Sequence, residues 1–201
     1  MAGFTPTYDR KRVMSGMAAV YLAPYNETSP AALPADTVAL GGTWPASPQP
    51  WTPVGATEQG ASFLFRRSTQ SLTVEEQLTP VLVETTEIEF KVEAVLAEDT
   101  LETMRTAFGG GTITTQAAAT GVIGKKTLAL ASDLDHFSLG LESKNSYGFW
   151  RRILIPEIVS IADVEVLNRR AASLRLYKVS FWSLSAIESV TLKDMTAAAL
   201  P

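Results

Sequence analysis

The residue with the most obvious capacity for chemistry is the single histidine, His136, which follows Asp133 and Asp135. Two carboxylates and an imidazole this close together could in principle ligate a metal ion. A transition-metal site needs more nitrogen or sulfur ligands than one histidine supplies, and the chain has no cysteine. These residues are more typical of a turn before a strand. The sequence therefore predicts neither a metal site nor a cofactor.

Covalent and acid–base catalysis have equally little support. His136 could activate a serine, but the nucleophile motif G-x-S-x-G does not occur in the sequence. Glu87, Glu89 and Glu93 could pair with another carboxylate for acid–base work. Residues two apart on a strand, however, are the ordinary polar face of an amphipathic sheet. We predict that the protein is not an enzyme.

The glycine triplet Gly109–Gly111 is also a weak candidate for ligand binding. It follows a predicted helix, whereas a phosphate-binding loop places the anion at the N-terminus of the helix it opens. We interpret the triplet as a helix stop and hinge. The formal net charge of −4 likewise gives no reason for strong attraction of the whole molecule to nucleic acid.

Long alternating strands are the clearest structural signal. Between Thr85 and Val95, apolar residues occupy one face (Ile88, Phe90, Val92, Ala94) and charged residues the other (Glu87, Glu89, Lys91, Glu93). This period of two predicts a half-buried antiparallel strand. We predict a hairpin of Gly60–Val74 and Val81–Leu96 joined at Gln77–Pro80. A bulge near Arg66 would return Leu72 and Val74 to the buried face.

One amphipathic helix should follow this hairpin. The apolar residues of this segment recur at helical spacing. Asp99 is a candidate N-cap, and Gly109 supplies a left-handed C-terminal residue. We predict a helix at about 99–108 that covers the apolar face of the sheet at Ile88, Phe90 and Val92 or their neighbours.

The remaining sequence divides into an irregular region and a series of short strands. Seven of the eleven prolines lie from Pro24 to Pro53, which predicts a long loop or arm. Met17–Ala23 could be a strand or a short helix, and Gly109–Gly124 should be loop with one strand at most. Further strands are predicted at Lys125–Ala131, His136–Glu142, Tyr147–Ile155, Val159–Leu167 and Leu174–Leu184.

These elements predict a mainly β protein: an antiparallel β-sandwich or partial barrel of six to eight strands with one flanking α-helix. The predicted organisation is an N-terminal segment and proline-rich arm over 1–50, a β domain over 51–195 and a C-terminal tail over 196–201. No segment approaches the length of a membrane span or the pattern of a signal peptide, so we expect a soluble product made in the cytoplasm, without membrane insertion.

Charge is distributed unevenly along the chain. The hairpin's outer face is acidic, while basic residues cluster late in the sequence. We predict that Arg151, Arg152, Arg169 and Arg170 contact the acidic face of a neighbouring copy. Such different but complementary surfaces would generate rings or filaments.

Several of these segments together resemble the major tail tube protein of long-tailed bacteriophages, with a non-contractile tail favoured. The resemblance covers about 51–184. It is carried by these segments: Trp51–Gly60 (WTPVGATEQG), Leu72–Gln77 (LTVEEQ) with Pro80 and Val81, Glu87–Val95, Glu98–Gly109, Ile153–Pro156 (ILIP) and the terminal strand Leu174–Ser185.

The resemblance implies a structural virion protein of the tail that self-assembles as homohexameric rings stacked into a tube. In that family, hairpins from each subunit complete a large β-barrel on hexamer formation, as in contractile tails and type VI secretion tubes. The lumen holds the tape measure protein and then passes double-stranded DNA, without specific binding, during DNA ejection into the host. Tail terminator and distal tail proteins would be further partners.

This resemblance yields a hypothesis for the hairpin. We expect Glu87, Glu89, Lys91 and Glu93 to line the lumen, where carboxylates would repel DNA phosphates. The arm and Gly109–Gly124 become candidates for contacts between subunits or rings, and we expect their amides to exchange rapidly until assembly. Two alternatives stay open: a module that binds a small ligand inside a β-barrel or sandwich, or another tail component of the same fold, such as a terminator or baseplate adaptor.

Overall fold

The computed structural model describes residues 18–39, 41–72, 82–144, 148–161, 164 and 176–196. These residues form ten strands and two short helices: β1 (Ala18–Pro24), β2 (Thr52–Pro53), β3 (Thr57–Leu72), β4 (Leu82–Leu96), α1 (Leu101–Ala107), β5 (Thr112–Gln116), β6 (Lys125–Ala129), β7 (Phe137–Lys144), β8 (Phe149–Ser160), β9 (Tyr177–Ser183), a 3₁₀ helix (Ile187–Ser189) and β10 (Thr191–Thr196). The predicted mainly β class is confirmed.

The main sheet is antiparallel throughout. Seven strands lie in the order β2-β1-β7-β8-β9-β4-β3, and β10 pairs with β8 outside this path. Strands β5 and β6 form a separate two-stranded sheet. The described strands do not close into a barrel. This arrangement agrees with the sandwich-like class, and a larger barrel would require further copies of the chain.

Strand β8 joins the two halves of the main sheet. Its first half pairs with β10 and its last residues, Ile158–Ser160, pair with β9. A register shift against β7 falls beside Pro156, where a strand tolerates a residue without an amide hydrogen. The two strands predicted at Tyr147–Ile155 and Val159–Leu167 are not separate over the described residues, because one continuous strand covers Phe149–Ser160. Tyr147 and most of 162–167 lie outside the described residues.

The core lies on one face of this sheet, where alternate residues of five strands meet. Partly buried residues such as Phe90 and Met104 pack around it. Its buried members are Val20, Leu22, Val92, Ala94, Leu96, Ala107, Phe137, Leu139, Leu141, Ile153, Ile155, Ile158, Tyr177, Val179 and Phe181.

Helix α1 is present but is capped and packed differently from the prediction. The Thr100 hydroxyl accepts the Thr103 amide at 3.0 Å, so Thr100 is the N-cap. Asp99 accepts instead from the Tyr177 hydroxyl at 2.5 Å. The helix packs on β9 and the β5–β6 sheet, and Ile88 stays exposed. The predicted cover over Ile88 is therefore wrong.

The predicted division at residue 50 does not match the sheet. β1 lies between β2 and β7 and pairs with β7 over its whole length, so the region before the arm belongs to the β domain. β10 is a strand that the sequence did not predict, and it ends at Thr196 beside the predicted tail. Residues 1–17, the Gln77–Pro80 connection and residues 197–201 lie outside the described residues.

The arm, residues 25–51, has no helix or strand among its described residues, as its prolines predicted. It packs against the face of β1, β7 and β8 that points away from the core. Trp44 stacks on Tyr21 with ring centroids 4.2 Å apart and meets Trp51 edge-on at 4.9 Å. Gly140 lies below: a Cβ there would stand 2.3 Å from the Trp44 ring. A second, smaller core thus joins the arm to the sheet.

A buried ion pair also holds the arm. Arg152 is fully buried, and its Nε donates to Glu142 Oε1 at 2.8 Å. Its Nη atoms donate to the carbonyl oxygens of Ala35 at 3.3 Å and Val38 at 2.7 Å. The other Glu142 oxygen accepts the Gly41 amide at 3.0 Å. The arm is therefore docked within a single copy, which argues against the expected rapid exchange of its amides before assembly.

Over the described residues, none of the helices combines the length and apolar character needed to cross a bilayer.

Candidate assembly surface

The most exposed part of the main sheet is the far end of the β3–β4 hairpin. β9 pairs with β4 only over Lys91–Leu96, whereas β3 continues to pair with β4 as far as Leu82. Residues 65–72 and 82–90 therefore form a two-stranded extension, which we call the projecting ribbon. Two-stranded ribbons without further cover are marginally stable in water.

The ribbon carries large apolar side chains that the subunit does not cover. Phe65 is 48% exposed, Ile88 41% and Val83 59%. Phe65 and Phe90 lie directly opposite one another, on the face that continues into the core at Val92. Exposed apolar surface that is continuous with a core is typical of an interface. The Arg67 guanidinium lies 5.6 Å from the Phe65 ring centroid, on the same face.

The opposite face contains all four residues that we expect to line a lumen. Glu87, Glu89, Lys91 and Glu93 occupy alternate positions of β4 and point away from the core residues Val92 and Ala94. They are therefore placed together on one side of the hairpin, where Glu87 is exposed and the other three are half-buried. That this side faces a lumen stays a prediction.

The charge of this face is more balanced than the sequence suggested. Arg66 Nη1 lies 3.8 Å from Glu89 Oε2, and Lys91 Nζ lies 2.8 Å from Glu93 Oε1. Lys178 on β9 lies near Glu93, opposite Val95. Three cations from three strands thus accompany four carboxylates, because the register places Glu84 on this face as well. The hydrogen bond from Lys91 lowers the pKa of Glu93, which keeps that carboxylate ionised.

A bulge lies in the ribbon close to the predicted position. The register shifts between Ser68 and Thr69, and the extra residue, Thr86, lies on β4. Its hydroxyl donates to the Ser68 carbonyl at 3.2 Å. Leu72 is nonetheless exposed, so its predicted return to a buried face is wrong. Val74 lies outside the described residues.

The four arginines predicted at subunit contacts do not behave alike. Arg152 is wrong as a contact residue, because its side chain is fully buried on Glu142 and the arm. Arg151 forms a two-pronged ion pair with Asp194 on β10, at 2.5 and 2.8 Å, and its side chain is 39% exposed. Arg169 and Arg170 lie outside the described residues.

Two of the three candidate metal ligands, Asp135 and His136, have other partners. Asp135 Oδ2 accepts from Arg105 Nη2 at 2.7 Å, and His136 Nδ1 lies 2.7 Å from Glu157 Oε1. Among the described residues, no three histidine or acidic side chains are grouped so as to hold a metal ion. Asp135 also accepts the Gly111 amide at 3.3 Å, so it braces the turn into β5.

A cleft of about 760 Å³ lies at one end of the sheet. Its size suits a small ligand or a few side chains. Seven of its lining residues are apolar, and two cations, Arg105 and Lys126, line it together with Glu98 and His136. Arg105 is paired with Asp135 and Lys126 with Glu102, and His136 Nδ1 lies close to Glu157 Oε1. The hydrogen bond from Lys126 lowers the pKa of Glu102.

No protein-family model matches the sequence, and no curated protein is significantly similar to it.

Proposed function

We propose that this chain is a structural subunit that assembles with copies of itself through the projecting ribbon. The supporting observation is that the ribbon exposes apolar side chains in continuity with the core, while only β3 and β4 pair there. Assembly with another copy would cover both the apolar face and the free strand edge.

Within this class, the function we favour is that of a phage tail tube protein. Hexameric rings would stack into a tube in the virion tail, enclose the tape measure protein and then conduct DNA. The resemblance of residues 51–184 and the long amphipathic hairpin support this proposal. The face containing Glu87, Glu89 and Glu93 suits passage without binding, since its carboxylates outnumber its cations and it offers DNA phosphates no excess of positive charge.

The first test is negative-stain electron microscopy of concentrated purified protein, with sedimentation velocity across a concentration series. We expect hollow tubes or six-fold rings. A single copy at every concentration would overturn the proposal. Large assemblies without a central channel would retain self-association but exclude the tube.

A pair of matched variants tests the ribbon itself. Ile88→Ser removes an exposed apolar group from the ribbon, and Leu130→Ser removes one that is 63% exposed elsewhere. Neither group is part of the core, so both variants should fold. We expect Ile88→Ser to weaken assembly severalfold, because burying the part of this side chain that is still exposed is worth roughly 1 kcal/mol. Leu130→Ser should assemble normally; equal effects would contradict a role for the ribbon.

The cleft supports a second candidate, a module that binds a small ligand. Its volume of about 760 Å³ is adequate, but its two cations, Arg105 and Lys126, are already paired with carboxylates. A stable monomer that binds an uncharged or amphipathic compound would favour a ligand-binding function over self-assembly.

A further inference from the structure

The C-terminal strand β10 lies beside the ion pair that docks the arm. In the register of the sheet, Glu142 on β7, Arg152 on β8 and Lys193 on β10 form one cross-strand row. Lys193 Nζ donates to Asp36 Oδ1 in the arm. The adjacent arm residue, Ala35, accepts from Arg152 through its carbonyl oxygen at 3.3 Å. The same stretch of the arm is therefore bound by β8 and by β10.

Apart from these contacts, β10 is weakly held in the subunit. Among the described strands it pairs only with β8. Of its residues Thr191–Met195, only Met195 is buried, and Leu192 is 61% exposed. Its other ion pair, Asp194 with Arg151, is exposed as well. A strand with so little burial opens locally at a fraction of the free energy of global unfolding.

Opening of β10 would uncover the guanidinium that holds the arm. Arg152 is fully buried, with a paired strand on each side of it and the arm carbonyls bound to it. Departure of β10 removes the strand on one side, together with the contact from Lys193 to the arm. Water would then compete for the hydrogen bonds from Arg152 to the arm, and these bonds contribute less once they are exposed. Loss of β10 therefore weakens the docking of the arm.

We propose that β10 is a latch for the arm: the two segments open together, and each stabilises the docked state of the other. The joint opening would expose the edge of β8 and the face containing Tyr21 and Gly140, which the arm covers. The Lys193–Asp36 pair is too exposed to supply this coupling alone, so most of it comes from Arg152. The inference concerns a single copy, goes beyond the proposed function and does not depend on it.

A substitution on the side of β10 that faces away from the arm tests the latch. Leu192 is opposite the core residue Ile153, so its side chain lies on the other face from that of Lys193. Leu192→Gly therefore loosens β10 without removing a contact to the arm. Val83→Gly is the matched control, at a 59% exposed position of the projecting ribbon. Amide hydrogen exchange is followed by NMR on the full chain, at a concentration where it is a single copy.

We expect Leu192→Gly to speed exchange severalfold in β10 and by a similar factor in the arm. The informative arm amides are those of Val38 and Gly41, which donate hydrogen bonds of 3.0 Å to Ala35 and Glu142. The control variant should speed exchange in the projecting ribbon only.

Asp36→Ala makes the reverse test. It removes the arm's contact with Lys193, and exchange should rise by about twofold in β10 as well as in the arm. Exchange that rises in only one of the two segments, in either variant, would overturn the latch. Faster exchange of the arm in Val83→Gly would do the same. Unchanged exchange in both segments in Leu192→Gly and Asp36→Ala would mean that neither segment opens locally, which also contradicts the latch.

Discussion

The region around β1, β7 and β8 and the projecting ribbon are built from similar alternating strands but differ in what covers them. In the first region, the core packs on one face and the arm packs on the other through Trp44 and Trp51. In the ribbon, neither face has such cover, and Phe65 and Ile88 remain exposed. An irregular segment of the same chain thus covers one part of the sheet, while another part of the same sheet is left exposed.

The two regions also handle charge differently. Arg152 and Glu142 are buried together and satisfied by arm backbone, whereas Arg66 and Glu89 on the hairpin are 3.8 Å apart and largely open to water on the arginine side. A buried pair is costly to break, and an exposed one contributes little. The arm is thus held by a buried ion pair whose loss would be strongly destabilising, whereas the ribbon has only an exposed pair that contributes little to stability.

The largest effect should come from Arg152→Ala. It would leave the Glu142 carboxylate buried without a counter-charge and remove the donors to the arm carbonyls. We expect the free energy of unfolding to fall by about 3–5 kcal/mol, measured by urea denaturation.

Arg151→Ala is the matched control for that variant. Arg151 is the adjacent residue, and its guanidinium pairs with Asp194 at the surface. We expect a loss of about 1 kcal/mol or less. The double variant Arg152→Met with Glu142→Leu should recover much of the loss, because no lone charge stays buried. Similar losses in Arg151→Ala and Arg152→Ala would remove the distinction between the two regions.

A smaller effect is expected from Gly140→Ala. The added methyl group would stand 2.3 Å from the Trp44 ring, so the arm must shift. We expect a loss of about 1–3 kcal/mol, a change in tryptophan fluorescence and faster amide exchange in the arm. Exchange in the projecting ribbon should be unchanged. An arm that exchanges rapidly in the unmodified single copy would show that it is not docked in solution.

Local pattern predicted the central elements of the fold. The alternation over Thr85–Val95 predicted β4 and its two faces, and helical spacing with Gly109 predicted α1. The irregular arm also followed from its prolines. These signals depend on neighbours in sequence, so one sequence is enough to read them.

Contacts between distant residues could not be predicted in the same way. The docking of the arm depends on Gly140 lying under Trp44 and on Arg152 reaching Val38, more than 90 positions apart in each case. In the sequence, Arg152 is one of several late basic residues, which favours a surface interpretation. Similarly, Asp99 is a good N-cap by type, but the Tyr177 hydroxyl occupies it.

The projecting ribbon was predicted as a hairpin but not as an exposed one. Alternation implies that Ile88 and Phe90 need cover, and the predicted helix was the nearest element to supply it. The structure leaves Ile88 open because α1 packs on β9 instead. The cleft also escaped prediction, since it depends on how the β5–β6 hairpin is placed.

The smallest expected effect is a pH dependence in the Arg151–Asp194 pair, at the exposed margin of the covered region. Hydrogen bonding to Arg151 lowers the pKa of Asp194 below its usual value of about 3.9. The contribution of this pair to the free energy of unfolding is therefore complete above about pH 4. It is lost as the pH falls through the lowered pKa of Asp194.

Asp194→Asn should accordingly reduce the free energy of unfolding by a few tenths of a kcal/mol at neutral pH. The difference from the unmodified protein should shrink below about pH 4, and also in 1 M salt, where exposed pairs are screened. Parallel denaturation series at pH 3 and pH 7 would measure it. If the difference were large and insensitive to salt, the pair would behave as a buried one, and the contrast drawn between Arg151 and Arg152 would fail.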